Sequence, residues 1–285
     1  MYNIKAEYVS QNFQQTLYER WETMNRTALI TGASSGFGRE FAKIFAKQGY
    51  NLVLTARRTA EMLKIKEELE GTYGIDVLVI TKDLSVQNAA EEIFAETQAR
   101  NIHIDVLVNN AGFGALGNFA PTEMKKAQDM ISLNVYSLVT LTHLYLAPMM
   151  EKGHGRILNV ASIAGFAPGP GMAVYYASKA FVLNFSDALS TELEGTGVTV
   201  TALCPGPVNT GFAKAAGFKN NIMFNGKEDG KAAKVSRYGV KQMYKGKPIA
   251  VPGAVCKLGA FATRLAPREF AKQFIYMVQT SRFVK

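Results

Sequence analysis

Thr27-Ala-Leu-Ile-Thr31 is a short apolar run, and Gly32-Ala-Ser-Ser-Gly36-Phe-Gly38 follows it without a break. Arg39 to Gln48 then carries Phe41, Ala42, Ile44, Phe45 and Ala46 at helical spacing. A strand that turns on glycines straight into a helix constrains the fold more than any other part of this chain. Glycines let the backbone fold back tightly and approach a bound anion closely. The helix N-terminus behind them offers unpaired N–H groups and the positive end of its dipole. Strand, glycine turn and helix in that order open a doubly wound α/β fold and cradle a dinucleotide pyrophosphate.

Short apolar runs recur along the chain and predict strands over Thr27–Thr31, Asn51–Ala56, Asp76–Lys82, Asp105–Asn109, Arg156–Ser162, Thr199–Leu203 and Ile249–Val251. Helical patterns separate them, over Ala60–Glu70, Asn88–Arg100, Met124–Met150 and Tyr175–Glu194. Such alternation predicts a parallel sheet with helices on both faces, linked by right-handed crossovers. The expected architecture is a mostly seven-stranded, Rossmann-type doubly wound sheet in a single domain over residues 26–285. Residues 1–25 form an N-terminal extension, and a substrate lid with a basic C-terminal region occupies 207–285. A chain of 285 residues, 48% of them apolar, suffices for one well-buried core.

Cys204 and Cys256 supply no disulfide framework, which points to a reducing compartment, the cytoplasm. The first 25 residues carry charges throughout and lack an apolar h-region, so no secretory signal is expected. An uncharged apolar run of about 18 residues is absent, so no transmembrane segment is expected either.

Tyr175 and Lys179 stand one helical turn apart in Tyr-Tyr-Ala-Ser-Lys, and Ser162 lies upstream at the start of a loop. A free phenol has a pKa of about 10, too high to exchange protons readily near neutrality. An ammonium four residues on shares its helix face and favours the phenolate, as general acid–base work requires. Tyr176 adjoins Tyr175 but has no lysine at that spacing. His103, His143 and His154 are not clustered with Cys, Asp or Glu, so no metal site is expected. Ser34 and Ser35 lack a neighbouring base and are not nucleophiles. Arg57-Arg58 closes the second strand, where an acid would repel a ribose 2′-phosphate and an arginine would grip it.

The whole set resembles the short-chain dehydrogenase/reductase family from about Thr27 to Thr210. It comprises TGASSGFG, Asp83-Leu84, NNAG at Asn109–Gly112, Asn134 in ISLNV, Ser162 in NVASIAG, the Tyr175/Lys179 pair, and CPGPVNT at Cys204–Thr210. The resemblance implies hydride transfer between a nicotinamide cofactor and a carbonyl or secondary alcohol. It implies a catalytic set of Asn134, Ser162, Tyr175 and Lys179. Tyr175 would protonate the carbonyl oxygen and Ser162 would hydrogen-bond it. Lys179 would also bind the nicotinamide ribose, and Asn134 would hold a water that relays protons to it.

For the cofactor, the resemblance implies Gly32, Ser34, Ser35, Gly36, Phe37 and Gly38 around the phosphates. Arg57 would take the 2′-phosphate, favouring NADP and NADPH over NADH, although no basic residue stands inside the glycine turn. Asp83 would receive the adenine amino group, and Asn110, Ala111 and Gly112 would line the adenosine ribose. Pro205, Gly206, Val208 and Thr210 complete the cofactor-binding set. Family members also pair two long helices across a dimer, so a homodimer or homotetramer is expected. Leu138, Leu141, Leu144, Phe181, Phe185 and Leu189 are candidate outward positions for it, although some of them must face the sheet.

Residues 1–213 hold 17 Lys/Arg against 20 Asp/Glu, whereas residues 214–285 hold 15 against Glu228, Asp229 and Glu269. A basic lid would attract the phosphates of a CoA thioester or an acidic carrier protein. The apolar stretch Ile249–Pro267 would equally suit peripheral contact with an anionic membrane, and a plain solvated basic face is the third reading. No nucleic-acid motif accompanies the charge. Phe113, Phe166, Pro168, Met172, Phe212 and Phe218 point to a hydrophobic small-molecule substrate. GKPIAVPG with the tail after it resembles the bacterial branch related to long-chain 3-oxoacyl reductases and hydroxysteroid dehydrogenases. A 3-oxoacyl thioester is the first expectation, and a steroid or bile-acid ketone the second. A non-catalytic NADP-binding regulator is the alternative of another class, weakened by the intact catalytic set.

Overall fold

A computed structural model describes residues 26–208, 210–212, 216–217 and 228–280. The expected N-terminal extension, Phe218 and Lys227 lie outside the described residues. Seven parallel strands form one sheet: β1 (Thr27–Thr31), β2 (Asn51–Ala56), β3 (Val77–Thr81), β4 (Val106–Asn109), β5 (Gly155–Val160), β6 (Val198–Leu203) and β7 (Ile249–Ala250). Their spatial order is β3-β2-β1-β4-β5-β6-β7. The order in which strands are added therefore switches sides between β1 and β4, and the carboxyl ends of those strands open onto the crevice where such sheets bind ligands.

Strands buried on both faces read as continuous apolar runs, which is why the sequence located them well. Ile30 of β1 stands between Leu54 of β2 and Val108 of β4. The pleat turns successive residues to opposite faces, so Ile30 joins one core and Leu29 the other. On the first face Phe41 and Phe45 of α1 (Gly36–Lys47) pack with Met62 and Leu69 of α2 (Thr59–Tyr73). On the second, Ile93 of α3 (Ala89–Ala99) meets Tyr145 and Met149 of α5 (Ser137–Glu151) and Leu189 of α6 (Ala173–Glu192).

Two expected elements differ in ways that matter for the site. The long helix expected over Met124–Met150 is interrupted. It consists of α4 (Met124–Ile131), one π-helical turn over Ser132–Tyr136, and then α5. A π turn inserts a residue into the helical ladder and redirects the side chain it carries, here Asn134. Strand β5 also ends at Val160, two residues early, which frees Ser162 to cap the short 3₁₀ turn Ile163–Phe166.

Of the six candidates for an outward position, Leu138, Leu141 and Leu189 are the ones buried in the core. Phe181 is exposed and stacks on Phe185 with ring centroids 5.8 Å apart. By length and composition Met124–Glu151 could cross a membrane, but Leu138, Leu141, Tyr145 and Met149 pack it into the core of the fold.

The C-terminal part holds α7 (Glu228–Tyr244), which lies on α1, and then β7. Two further helices follow, α8 (Ala254–Leu265) and α9 (Arg268–Thr280). They lie over the carboxyl ends of the strands and close one end of the crevice.

Candidate active site

The glycine turn is held by contacts that tolerate no side chain. Gly32 has φ +65°, the left-handed region that suits glycine. A Cβ on Gly38 would sit 2.2 Å from the Gly32 carbonyl oxygen, so only glycine lets α1 start so close to β1. The end of β4 is tied to this turn through Asn110, whose Nδ2 donates to the carbonyl oxygens of Thr31 (2.8 Å) and Gly32 (3.3 Å). Thr31 Oγ1 accepts from the backbone N–H groups of Asn110 and Ala111, both at 2.9 Å. Thr31 opens the TGASSGFG motif, but the sequence reading gave its hydroxyl no role.

Arg57 and Arg58 part company at the end of β2. Arg57 Nη1 lies 3.6 Å from Asp83 Oδ2, its side chain largely in solvent. Burial works to raise the Asp83 pKa, but the N–H and hydroxyl of Ser85 and the Arg57 guanidinium outweigh it and hold the carboxyl below its usual range. Arg58 swings the other way, donating from Nη2 to Ser34 Oγ (3.1 Å) and Ser35 Oγ (2.6 Å). The basic group missing from the turn in sequence is thus delivered from β2, and sequence reasoning assigned the position to Arg57 alone.

Around the carbonyl end, Ser162 Oγ accepts from Ala164 N–H at 3.1 Å. Burial pushes the Tyr175 phenol up to about 12; a hydrogen bond with Ser162 pulls it down, and Tyr176 adds a further push upward. Lys179 Nζ donates to the Val160 carbonyl oxygen at 2.7 Å, and burial lowers its pKa to about 8, with Cys204 opposing. The expectation that the ammonium lowers the phenol's pKa is therefore not met in this arrangement. Burial of Tyr175 dominates, and the lysine is turned to the end of β5.

Asn134 is fully buried in the π turn. Its Nδ2 donates to the Phe113 carbonyl oxygen and to Ser178 Oγ, both at 3.0 Å, and its Oδ1 accepts from Phe113 N–H at 3.1 Å. A Cβ on Gly112 would lie 3.0 Å from Asn134 Oδ1 and 3.4 Å from Lys179 Nζ, so these two groups flank the same backbone.

One cavity of about 1350 Å³ gathers almost every residue the sequence nominated. Gly32, Ser34, Ser35, Gly36, Phe37, Arg57, Asp83, Asn110, Ala111 and Gly112 line one half. Ser162, Tyr175, Lys179, Pro205, Gly206, Val208 and Thr210 line the rest, while Gly38 and Asn134 stand behind the wall. A Cβ on Gly36 would meet Thr210 Cβ at 2.8 Å, so the glycine turn and the loop after β6 nearly touch. Of the expected apolar residues, Phe113, Phe166, Met172 and Phe212 line the cavity and Pro168 does not. Helices α8 and α9 add residues that sequence reasoning missed, among them Val255, Cys256, Phe270, Phe274 and Ile275. Among the described residues, no group of His, Cys, Asp and Glu could hold a metal ion.

The residues present fit a dinucleotide carrying a 2′-phosphate. The turn leaves no room for side chains, two arginines stand at the end of β2, and Thr55 lines the cavity with a buried Oγ1 that has no partner.

Residues 26–220 match the family model for short chain dehydrogenases. The chain belongs to that family. As a member it is an oxidoreductase acting on a carbonyl or secondary alcohol. This dehydrogenase is 43% identical over 192 residues to a sulfoacetaldehyde reductase of Chromohalobacter salexigens, covering 66% of this chain and 75% of that one. It is 40% identical over 210 residues to an NADP-dependent 3-hydroxy acid dehydrogenase of Escherichia coli K12, covering 72% and 79%. A short-chain dehydrogenase from Sphingobium yanoikuyae, solved in complex with NADPH, superposes with a TM-score of 0.75 at 28% identity. That superposition covers 84% of this dehydrogenase and 93% of the other.

Proposed function

We propose that this enzyme reduces the ketone of a bulky or long-chain apolar substrate with NADPH, a 3-oxoacyl thioester standing first. The observation that carries this reading is the chemistry of the cavity beyond Tyr175. Met172, Phe212, Phe270, Phe274 and Ile275 line it, and every Lys and Arg in the lining, namely Arg57, Arg58, Lys82 and Lys179, belongs to the cofactor half or the catalytic set. An anionic substrate such as sulfoacetaldehyde needs a cation to replace its water, and among the described residues the substrate half offers none. Sulfoacetaldehyde therefore stands behind an apolar ketone in this reading.

The cofactor reading rests on Arg58 over Ser34 and Ser35 and on the exposed Arg57, a basic rim for a 2′-phosphate. NADPH held by the glycine turn and the two arginines would supply the hydride for the carbonyl carbon. Tyr175 donates its proton to the carbonyl oxygen, and with a pKa near 12 it is fully protonated at neutral pH, the state reduction needs. Ser162 shares that oxygen and orients the phenol. Lys179, which lines the cavity and stays cationic below about pH 8, would hold the cofactor's ribose side. Asn134 clamps the Phe113 loop, and its Oδ1 keeps a lone pair beside Lys179 for the relay water. Free thiols at Cys204 and Cys256 suit the cytoplasmic setting expected from the sequence. Exposed Phe181 of α6, with Ile131 of α4, Tyr136 of the π turn and Met150 of α5, supports a homodimer through these helices.

The test is NADPH consumption with a 3-oxoacyl thioester, a bulky neutral ketone and sulfoacetaldehyde in parallel. The thioester should give the highest kcat/KM and sulfoacetaldehyde the lowest. Preference for sulfoacetaldehyde would overturn the reading.

A further inference from the structure

Among the described residues, the four most exposed large apolar side chains, Val255, Leu265, Leu258 and Phe270, all stand on α8 and α9. Val255, Leu258, Phe261 and Leu265 of α8 and Phe270 and Phe274 of α9 keep between 54% and 85% of their surface in solvent. At about 100° per residue, the four on α8 fall within an arc of about 120°, a single stripe along the helix. Phe270 and Phe274 share one face of α9 at i, i+4 spacing.

This stripe is not the face that packs on the protein. Ala260, Cys256 and Thr263 occupy the side of α8 that is turned to the cavity. Val255, Phe270 and Phe274 belong to both surfaces, lining the cavity while standing largely exposed, so they form the rim of its mouth. The apolar surface therefore runs continuously from the outside of the helix pair into the cavity. A patch of this kind on a folded protein marks an interaction site.

The charges around it select the partner. Lys257 and Arg268 are exposed beside the stripe, and Lys272 neutralises Glu269, the one acid on the two helices, at 2.8 Å. As a sequence, residues 214–285, these two helices included, carry 15 Lys/Arg against three acids. An apolar stripe bordered by basic side chains is the pattern of a helix lying in the headgroup region of an anionic bilayer.

We infer that α8 and α9 seat this enzyme on an anionic lipid surface, with the cavity mouth opening into the apolar layer so that substrate enters from the bilayer. The inference extends the reading of an apolar substrate. Its deciding readout is vesicle binding, which needs no turnover, so the two can fail separately.

The experiment is co-sedimentation of the full chain with phosphatidylcholine vesicles, with and without phosphatidylserine. The expected result is binding to the phosphatidylserine vesicles and little to the neutral ones, released by salt. Leu258→Ser combined with Leu265→Ser should weaken binding at least tenfold, and Lys257→Glu by about fivefold per charge removed. Neither leucine lines the cavity, so turnover of a small water-soluble ketone by the double variant should equal that of the parent. Three results would overturn the inference. The parent does not sediment with phosphatidylserine vesicles, the double variant sediments as well as the parent, or the serines dissociate an oligomer while vesicle binding is unchanged. The last would assign the stripe to a second copy of the chain.

Discussion

Lys179→Met should make this protein more stable at neutral pH while lowering its activity. Burial moves the Lys179 pKa from 10.5 to about 8. At pH 7 the lysine is therefore protonated in both states, and holding the charge inside costs the native state roughly 3 kcal/mol. Removing the side chain also strips the Val160 carbonyl oxygen of its 2.7 Å donor, worth about 1 kcal/mol. A net gain of about 2 kcal/mol remains, or about 5 °C in melting temperature for a chain of this size.

The pH dependence gives the sign. Between about pH 8 and 10.5 the unfolded chain still holds the proton that the native state has released. The lysine's destabilising contribution is thus full below about 8 and fades as pH rises towards 10.5. Thermal melts of parent and variant at neutral pH and near pH 10 read this directly, and the gap should shrink on the alkaline side. A variant that melts below the parent at both pH values would refute the idea that a strained ammonium sits under the active site.

Three more outcomes are expected. Arg57→Asp and Arg58→Ser should each reduce the preference for NADPH over NADH about 10- to 100-fold in Kd, since each removes a charge-assisted contact; equal Kd values for the two cofactors in the parent would sink this. Gly38→Ala should abolish cofactor binding, because its Cβ would lie 2.2 Å from the Gly32 carbonyl oxygen; an unchanged Kd, measured by the fluorescence of bound NADPH, would show that the turn yields freely. Phe181→Glu should convert a dimer into a 31.1 kDa species in sedimentation velocity, and a parent that already sediments at that mass would remove α6 as an interface.

The sheet was legible because parallel strands are apolar end to end, and Leu29, Ile30, Leu52, Val53 and Leu54 announce themselves without any partner. The cofactor half was legible because glycine positions and strand ends carry local geometry. What escaped depends on packing that no local pattern encodes. Asn134 reaches Phe113 only through a π turn, and the sequence around it reads as unbroken helix. Leu138 and Leu141 carry the same apolar signal whether they face the sheet or a partner. Arg57 and Arg58 are equivalent in sequence and opposite in direction. The apolar stretch Ile249–Pro267 was visible in the sequence, but which of its residues pack and which form the exposed stripe of α8 depends on how the helix lies on the protein.

The central claim is that Tyr175 delivers the proton to the carbonyl, and Tyr175→Phe tests it most directly. The ring keeps its place against Phe212, with centroids 5.2 Å apart in the parent, so the cavity retains its shape while the donor is gone. NADPH should bind the variant as it binds the parent. Its kcat/KM for ketone reduction should fall at least ~10²–10⁴-fold, the usual contribution of a general acid. Turnover by the variant within about tenfold of the parent, at unchanged NADPH affinity, would contradict the account.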